Sequence, residues 1–361
     1  MIRAIFVQLG NPAPLHLMAN IDRHIGLFPN IPITVISDNQ NNFIGLNFNE
    51  IQFHHYSPNL EFNLAFADAN HNLQFRNGFW RYTIERLIAL ADYHSTCPND
   101  AILHIESDVI LLPQFPWEKL LEVKTLLWGR YNQIRDVAAL LYSPNLDSSL
   151  WLQNQIILRM QLNNEITDMT VLSEISHTYK KHIGLFPSID PNQTSLWNLN
   201  SKPNSDEIEH ECTSFEKFQG IFDAQSIGMW FAGIDPKNFF GISIIHDDAI
   251  LKSDESFIDP SKVIYNYSNH SGLTIISDNK ETRLWSLHVH SKNLRLFGEN
   301  WETELVHHIN LSRSIKKYYK FNFFVLLQLL AENKRQNTLF AYLLHIPLVA
   351  KLKILLRSIF K

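Results

Sequence analysis

Two runs, Ala4-Ile5-Phe6-Val7-Gln8-Leu9 and Ile31-Pro32-Ile33-Thr34-Val35-Ile36-Ser37-Asp38-Asn39, frame the segment that decides the fold. The first is short and apolar and stops at Gly10-Asn11-Pro12, so residues 3–9 read as a buried strand. The second reads as a strand entering a polar loop. Between them, Pro14 to His24 reads as a helix with Gly26 as its C-terminal stop. Strand, helix, strand in this compass is a βαβ unit, and βαβ units build parallel sheets.

Working outward, residues 79–94 are expected to be helical, because Trp80, Ile84, Leu87, Ile88 and Ala91 fall at helical spacing. Ala101 to Ile105 reads as a strand that runs into Glu106-Ser107-Asp108, and the apolar run resumes over 109–113. Residues 117–127 mix helix and strand signals. Helices are expected over 148–162, 165–182 and 215–231, and strands over 242–245 and 284–289. Between 188 and 214 the composition turns to Asn, Ser, Asp, Glu and Pro, which reads as a long surface loop or lid. His24-Ile25-Gly26-Leu27-Phe28-Pro29 recurs as His182-Ile183-Gly184-Leu185-Phe186-Pro187. With no sustained period around it, the repeat reads as one helix-stop pattern used twice.

The chain has 361 residues, 45% of them apolar and 19% charged, so a packed core is within reach and a disordered chain is excluded. A net charge of -5 argues against a nucleic-acid binder. Two cysteines, Cys97 and Cys212, exclude a disulfide scaffold and a cysteine zinc site, and they fit a reducing compartment. The opening apolar run is too short for a secretory core, and no stretch is long enough to span a bilayer. The expectation is a cytoplasmic protein, peripheral on the inner face of the membrane if its tail docks there. That tail is distinctive. Residues 313–361 carry ten Lys or Arg and one acid, for +9, against -14 for the remainder. They read as helical over 316–361, broken near Asn337 and at Pro347. Residues 1–312 are expected to form one catalytic domain, with 188–214 as its loop or lid. Residues 313–361 are expected to form a basic amphipathic tail. Such a tail docks on an anionic membrane surface or packs on the domain with its basic face solvated.

The chemistry concentrates in two places. Glu106 and Asp108 leave one side of an extended strand end, where ligands of α/β sheets bind. Two acids side by side repel, so a divalent cation shared with substrate phosphates would stabilise them. The plain alternative is a strand end closed by a turn, with both acids solvated. The second place is His288-Val289-His290-Ser291-Lys292, where strand alternation puts both imidazoles on one face beside a lysine. Imidazole ligates first-row metals and lysine binds phosphate, whereas a histidine pair in a strand often does no more than pack.

His104-Ile105-Glu106-Ser107-Asp108-Val109-Ile110-Leu111-Leu112-Pro113 resembles the Asp-X-Asp motif of bacterial nucleotide-sugar glycosyltransferases of GT-A fold. Phe79 to Leu87 looks like the helix preceding that motif, and His288 to Lys292 resembles the late element that completes the metal and diphosphate site. Asp168-Met169 and the segment from Phe222 to Asp235 resemble acceptor-side segments. The likeness covers residues 1–300 in order of elements and is specific at 104–113 and 286–293. It departs from the common motif at Glu106, where the family has Asp. It implies a Rossmann-type mixed sheet flanked by helices. It also implies sugar transfer from a nucleotide-sugar donor to a glycan or lipid-linked acceptor, in surface polysaccharide biosynthesis. Mn2+, with Mg2+ as the alternative, would be held by Asp108, by Glu106 directly or through water, and by His290 first and His288 second. Lys292 would hold the β-phosphate. Gln8 and Asp38 are candidates for base or ribose, and Arg76, Arg81 and Arg86 for phosphates, each arginine having a surface ion pair as its plain alternative. Asp168, Asp223 and Asp235 are candidates for the base that takes the acceptor proton. The rival readings are a nucleotidyltransferase, disfavoured because Gly10 to Pro14 lacks a basic residue, and a non-catalytic carbohydrate-binding protein. His246-Asp247-Asp248, the adjacent pairs His54-His55 and His307-His308, and Asp206 to Glu211 read as turn or solvated surface, not as sites.

Overall fold

The computed structural model describes residues 1–67, 78–162, 167–198, 202–228, 256–259, 262–268, 271–290 and 292–318. The βαβ unit is there: β1 (Ile2–Val7), α1 (Leu15–Leu27) and β2 (Ile33–Ser37), with Ala4 opposite Ile33 in a parallel pair. β3 (Ile51–His55) pairs with β2, and β4 (Ala101–Ile105) takes the other edge of β1, both in parallel. β7 (Arg135–Ser143) runs antiparallel to β4. β6 (Leu126–Asn132) runs antiparallel to β7, and β8 (Ile183–Phe186) lies parallel to β6. The sheet order is therefore β3-β2-β1-β4-β7-β6-β8, a mixed sheet in an α/β fold. Its order reverses between β1 and β4, and the crevice outside the carboxyl ends of those two strands is where such sheets bind ligands.

Both faces are covered, which is why the strands read as continuous apolar runs. Ala4 and Phe6 pack with Leu17 and Ile21 of α1. Ile5 turns the other way, toward Ile84 and Ile88 of α3 (Phe79–His94). α2 (Leu60–Ala67), α5 (Leu146–Leu162) and α6 (Asp168–Thr178) complete that second layer. A smaller antiparallel sheet follows the order β10 (Ile264–Ser268), β11 (Gly272–Ser277), β12 (Lys280–His288), β5 (Val109–Leu111), with β9 (Ile221–Phe222) parallel to β12. Its core continues into α8 (Trp301–Tyr318) through Trp301, Leu305 and Ile309. β4 and β5 are consecutive and belong to different sheets. The chain crosses from one sheet to the other at Glu106-Ser107-Asp108.

Several expectations need correction. The helix expected to stop at Gly26 runs through it to Leu27, and Phe28, at φ -132°, ends it. Within 188–214, expected to be loop, residues from Ser205 begin a helix, α7 (Ser205–Phe218). Asn204 caps it by accepting from Glu207 N, and the Glu207 side chain reaches back to Asn204 N. Ile208, Cys212, Phe215 and Phe218 recur at helical spacing, but the polar residues around them, including the buried Glu207 and Glu211, hid the stripe. The helix expected over 215–231 stops at Phe218, and β9 follows. Residues 117–127 resolve into α4 (Trp117–Leu121) and the start of β6. α8 runs across residue 312, after which the tail is expected to begin, which neither joins nor divides the two expected parts. The strand expected at 242–245 and residues 319–361 of the tail lie outside the described residues. Among the described residues, no helix is long and apolar enough to cross a membrane.

Candidate functional site

The turn between β4 and β5 holds two acids because both strands pin it. Glu106 N donates to Ala139 O of β7 at 3.0 Å, and Val109 N donates to Glu106 O at 3.0 Å. β12 arrives antiparallel with His288 opposite Val109. That register brings the imidazole to the acids: His288 Nε2 lies 3.3 Å from Asp108 Oδ1 and 3.9 Å from Glu106 Oε2. One ligand atom from each of Glu106, Asp108 and His288 lies within 4.8 Å of the others. Lys292 closes the far side with Nζ 2.9 Å from Asp108 Oδ2, its backbone in the left-handed region at φ 56°.

The electrostatics follow from this crowding. Burial alone would push the Asp108 carboxyl up, but Lys292 and His288 outweigh it and hold the group well below the ordinary carboxylate value. Burial likewise disfavours an imidazolium at His288, yet Asp108, Glu106 and Asp223 raise its pKa to about 9. The acids thus demand positive charge, which His288, Lys292 and Arg86 supply; a bound cation would take the place of the proton on His288 Nε2, because imidazole ligates a metal only in its neutral form. Two carboxylates and an imidazole are a hard-to-borderline donor set that fits Mn2+ or Mg2+. His288 Nδ1 is buried without a hydrogen-bond partner, and its Nε2 is the atom aimed at the acids.

His290, the first-choice imidazole, offers no ligand atom within that 4.8 Å group, though it lies near enough for its charge to help hold the Asp108 carboxyl down. Its ring centroid lies 5.9 Å from that of His288. β12 ends at His288, so the alternation that would have put both rings on one face ends there too.

Arg86 of α3 lies beside Glu106, to which it is hydrogen-bonded, and its Nη2 donates to Asp168 Oδ2 at 2.9 Å. Burial pushes the Asp168 carboxyl up, and the Arg86 guanidinium draws it back down. A cavity of about 170 Å³ opens at the carboxyl ends of β1 and β4, lined by Gln8, Tyr82, Thr83, Arg86, Glu106 and Ser107 among others. Tyr82 and Thr83 were missed by sequence reasoning. Their signal was their place one turn before Arg86 on α3.

Other candidates are engaged elsewhere. Arg81 is bound to Glu85 at 2.9 Å and to Asn63 at 2.6 Å, with its guanidinium 5.8 Å from the Phe62 ring, so it fastens α2 to α3. Asp38 accepts from Gly10 N at 3.1 Å and from Asn42 Nδ2 at 3.0 Å, tying the loop after β1 to the end of β2. Gly10 is needed there, because a Cβ would come within 1.9 Å of the Tyr82 ring. Asp223 accepts from four backbone N–H groups, those of Gln225, Ile227, Gly228 and His288, at 2.7–3.1 Å. Those bonds use the acceptor capacity of its carboxylate and make it a strut that positions His288. Arg76 and Asp235 lie outside the described residues.

No family model matches the chain, and no curated protein matches it in sequence. Among solved structures, an active-site mutant of LgtC is 16% identical over 59% of this chain and 83% of its own, with a TM-score of 0.40. The galactosyltransferase LgtC in complex with donor and acceptor sugar analogs is 15% identical over 51% of this chain and 73% of its own, with a TM-score of 0.36. The PaToxG glycosyltransferase is 14% identical over 60% and 85%, with a TM-score of 0.34. Similarity at this level carries no argument about activity.

Proposed function

We propose that the chain is a metal-dependent glycosyltransferase. It moves a sugar from a nucleoside-diphosphate sugar to a glycan or lipid-linked acceptor, in surface polysaccharide assembly. The supporting observation is the convergence of Glu106, Asp108 and His288 at the sheet switch point, with Lys292 on Asp108. Loss of a nucleoside diphosphate builds negative charge on the leaving phosphate, and a bound Mn2+ or Mg2+ supplies the stabilisation of that charge. Glu106, Asp108 and His288 would hold the cation. Lys292 stands ready as a point charge for the diphosphate. Gln8 and Arg86 line the adjoining cavity and would orient the donor. Of the acids considered for the acceptor proton, Asp168 is retained: it is buried, its pKa is raised, and it touches Arg86.

The test is calorimetric titration of a nucleoside diphosphate with and without Mn2+. The parent should bind only with the metal, and Asp108→Ala should lose that binding. Unchanged binding by Asp108→Ala removes the acids from the mechanism. A screen of UDP-, GDP- and CMP-sugar hydrolysis with and without Mn2+ then identifies the donor.

A lipid-linked acceptor would account for the basic tail, since each near-surface Lys or Arg adds about 1 kcal/mol of attraction to an anionic membrane. Co-sedimentation with phosphatidylglycerol vesicles should be lost in a Lys351→Glu, Lys353→Glu, Arg357→Glu triple variant. A parent that does not co-sediment removes the membrane from the proposal, and retained binding by the variant removes these three residues from the contact.

A further inference from the structure

β5 is three residues long and forms the edge of its sheet, and an edge buried inside a protein must have its backbone groups satisfied. Toward β12 this is done by strand pairing. Asp108 O accepts from Val289 N at 2.7 Å, and Leu112 N donates to Trp285 O at 3.0 Å. Strand alternation turns the carbonyls of Ser107, Val109 and Leu111 the opposite way. There they meet α1 through three buried polar side chains. Asn20 Nδ2 donates to Val109 O at 2.7 Å and to Ser107 O at 3.4 Å. Arg23 Nη1 donates to Leu111 O at 2.6 Å, and His16 Nε2 lies 3.3 Å from Ser107 Oγ.

Positions 16, 20 and 23 share one face of a helix, spaced roughly 6 and 4.5 Å along its axis. Alternate carbonyls of a strand recur about every 6.6 Å. The growing reach of Asn and then Arg makes up the difference. The upper end of this ladder grips Ser107, the residue between the two acids, by both its hydroxyl and its carbonyl.

We propose that His16, Asn20 and Arg23 are positioning residues for the cation site. They fix the turn so that Glu106 and Asp108, which repel, stay aimed at one point. The inference rests on reading the acid pair as a cation site. Covering an edge strand would by itself affect stability; fixing the acids affects cation affinity as well.

The experiment measures Mn2+ alone by electron paramagnetic resonance, beside the melting temperature. Asn20→Leu should weaken Mn2+ binding roughly 10–100-fold in the folded protein. Asn20→Gln, which keeps an amide donor, should regain part of that loss. Ile21→Val, on the same helix but in the apolar core, should lower the melting temperature and leave Mn2+ affinity unchanged. Parent-like Mn2+ binding by Asn20→Leu overturns the inference, and so does an equal loss in Ile21→Val. Should Asn20→Leu fail to fold, His16→Ala decides: a loss of ~threefold or more, one modest hydrogen bond, supports the role, and none refutes it. Asp108→Ala, run in parallel, separates the two levels. If it binds Mn2+ like the parent, the cation site itself is wrong. If it does not bind while Asn20→Leu binds normally, only the positioning role fails.

Discussion

Glu211 and Asp223 are both buried acids whose pKa is raised by burial, and their surroundings set them to different uses. Asp223 is ringed by four N–H groups, whereas Glu211 accepts from Ser188, through N at 2.7 Å and Oγ at 3.2 Å, and from the Ile189 backbone N–H, and burial outweighs these bonds and the nearby Arg130. The pKa of Glu211 is accordingly pushed up to about 7 from an ordinary 4.5. The folded chain therefore binds more protons than the unfolded chain between pH 4.5 and about 7. Stability contributed by this residue is fully present below that window and is lost as pH rises through it, by roughly 3 kcal/mol in total. Glu211→Gln should flatten the dependence, read by urea denaturation at pH 5, 6 and 7.5; an unchanged slope would assign it to other groups. Of the two, only the apolar surroundings of Asp223, and so its raised pKa, were legible in sequence. Asp223 drew notice as a base by residue type, and Glu211 was taken for solvated surface, because burial is a property of the finished packing. The same limit applies to the choice between His288 and His290, of which His288 stands within reach of both acids. Both residues were legible as candidates, but the choice depended on where β12 stops.

The hexapeptide His-Ile-Gly-Leu-Phe-Pro makes the case for elements. At 24–29 it closes α1, and at 182–187 it contributes β8, with Gly184 paired to Leu127. One local sequence thus serves a helix end and a strand, and tertiary pairing chooses between them. The two glycines should then respond oppositely to the same change. At Gly26 a Cβ meets nothing within 4 Å, so Gly26→Ala should stabilise by about 0.5–1 kcal/mol through helix propensity. At Gly184 a Cβ would come within 2.5 Å of Leu127 Cδ2, in a buried sheet, so Gly184→Ala should cost about 1–3 kcal/mol. Denaturant midpoints of the two variants check this, and a shared sign would refute it. The βαβ unit and β4 were legible because their apolar runs are buried on both faces. α7 was not, although a capping box at Asn204 and Glu207 opens it and Ile208, Cys212, Phe215 and Phe218 recur at helical spacing, because the surrounding Asn, Ser, Asp and Glu read as loop.

Over the whole molecule, the candidate site is a joint between two sheets. Glu106 and Asp108 belong to the crossing from β4 to β5, and His288 ends β12, 180 positions after Asp108. Each half was legible as a local pattern. Their meeting depends on the β5–β12 register, which pairs Val109 with His288 and has no local signal. A cation shared by the three residues would therefore tie the two sheets together, and it would do so only in the folded state. Ligand binding to the folded state alone stabilises by RT ln(1 + [L]/Kd), about 2.7 kcal/mol at a hundredfold excess over Kd. Mn2+ should accordingly raise the melting temperature of the parent, and a chelator should reverse the rise. Asp108→Ala should melt at one temperature with or without the ion, because the remaining Glu106 and His288 lack the ligand nearest to Lys292. Calorimetric scans of both proteins in Mn2+ and in chelator decide the matter: an equal upward shift in the two would place the ion elsewhere on the chain, and no shift in the parent would dissolve the joint.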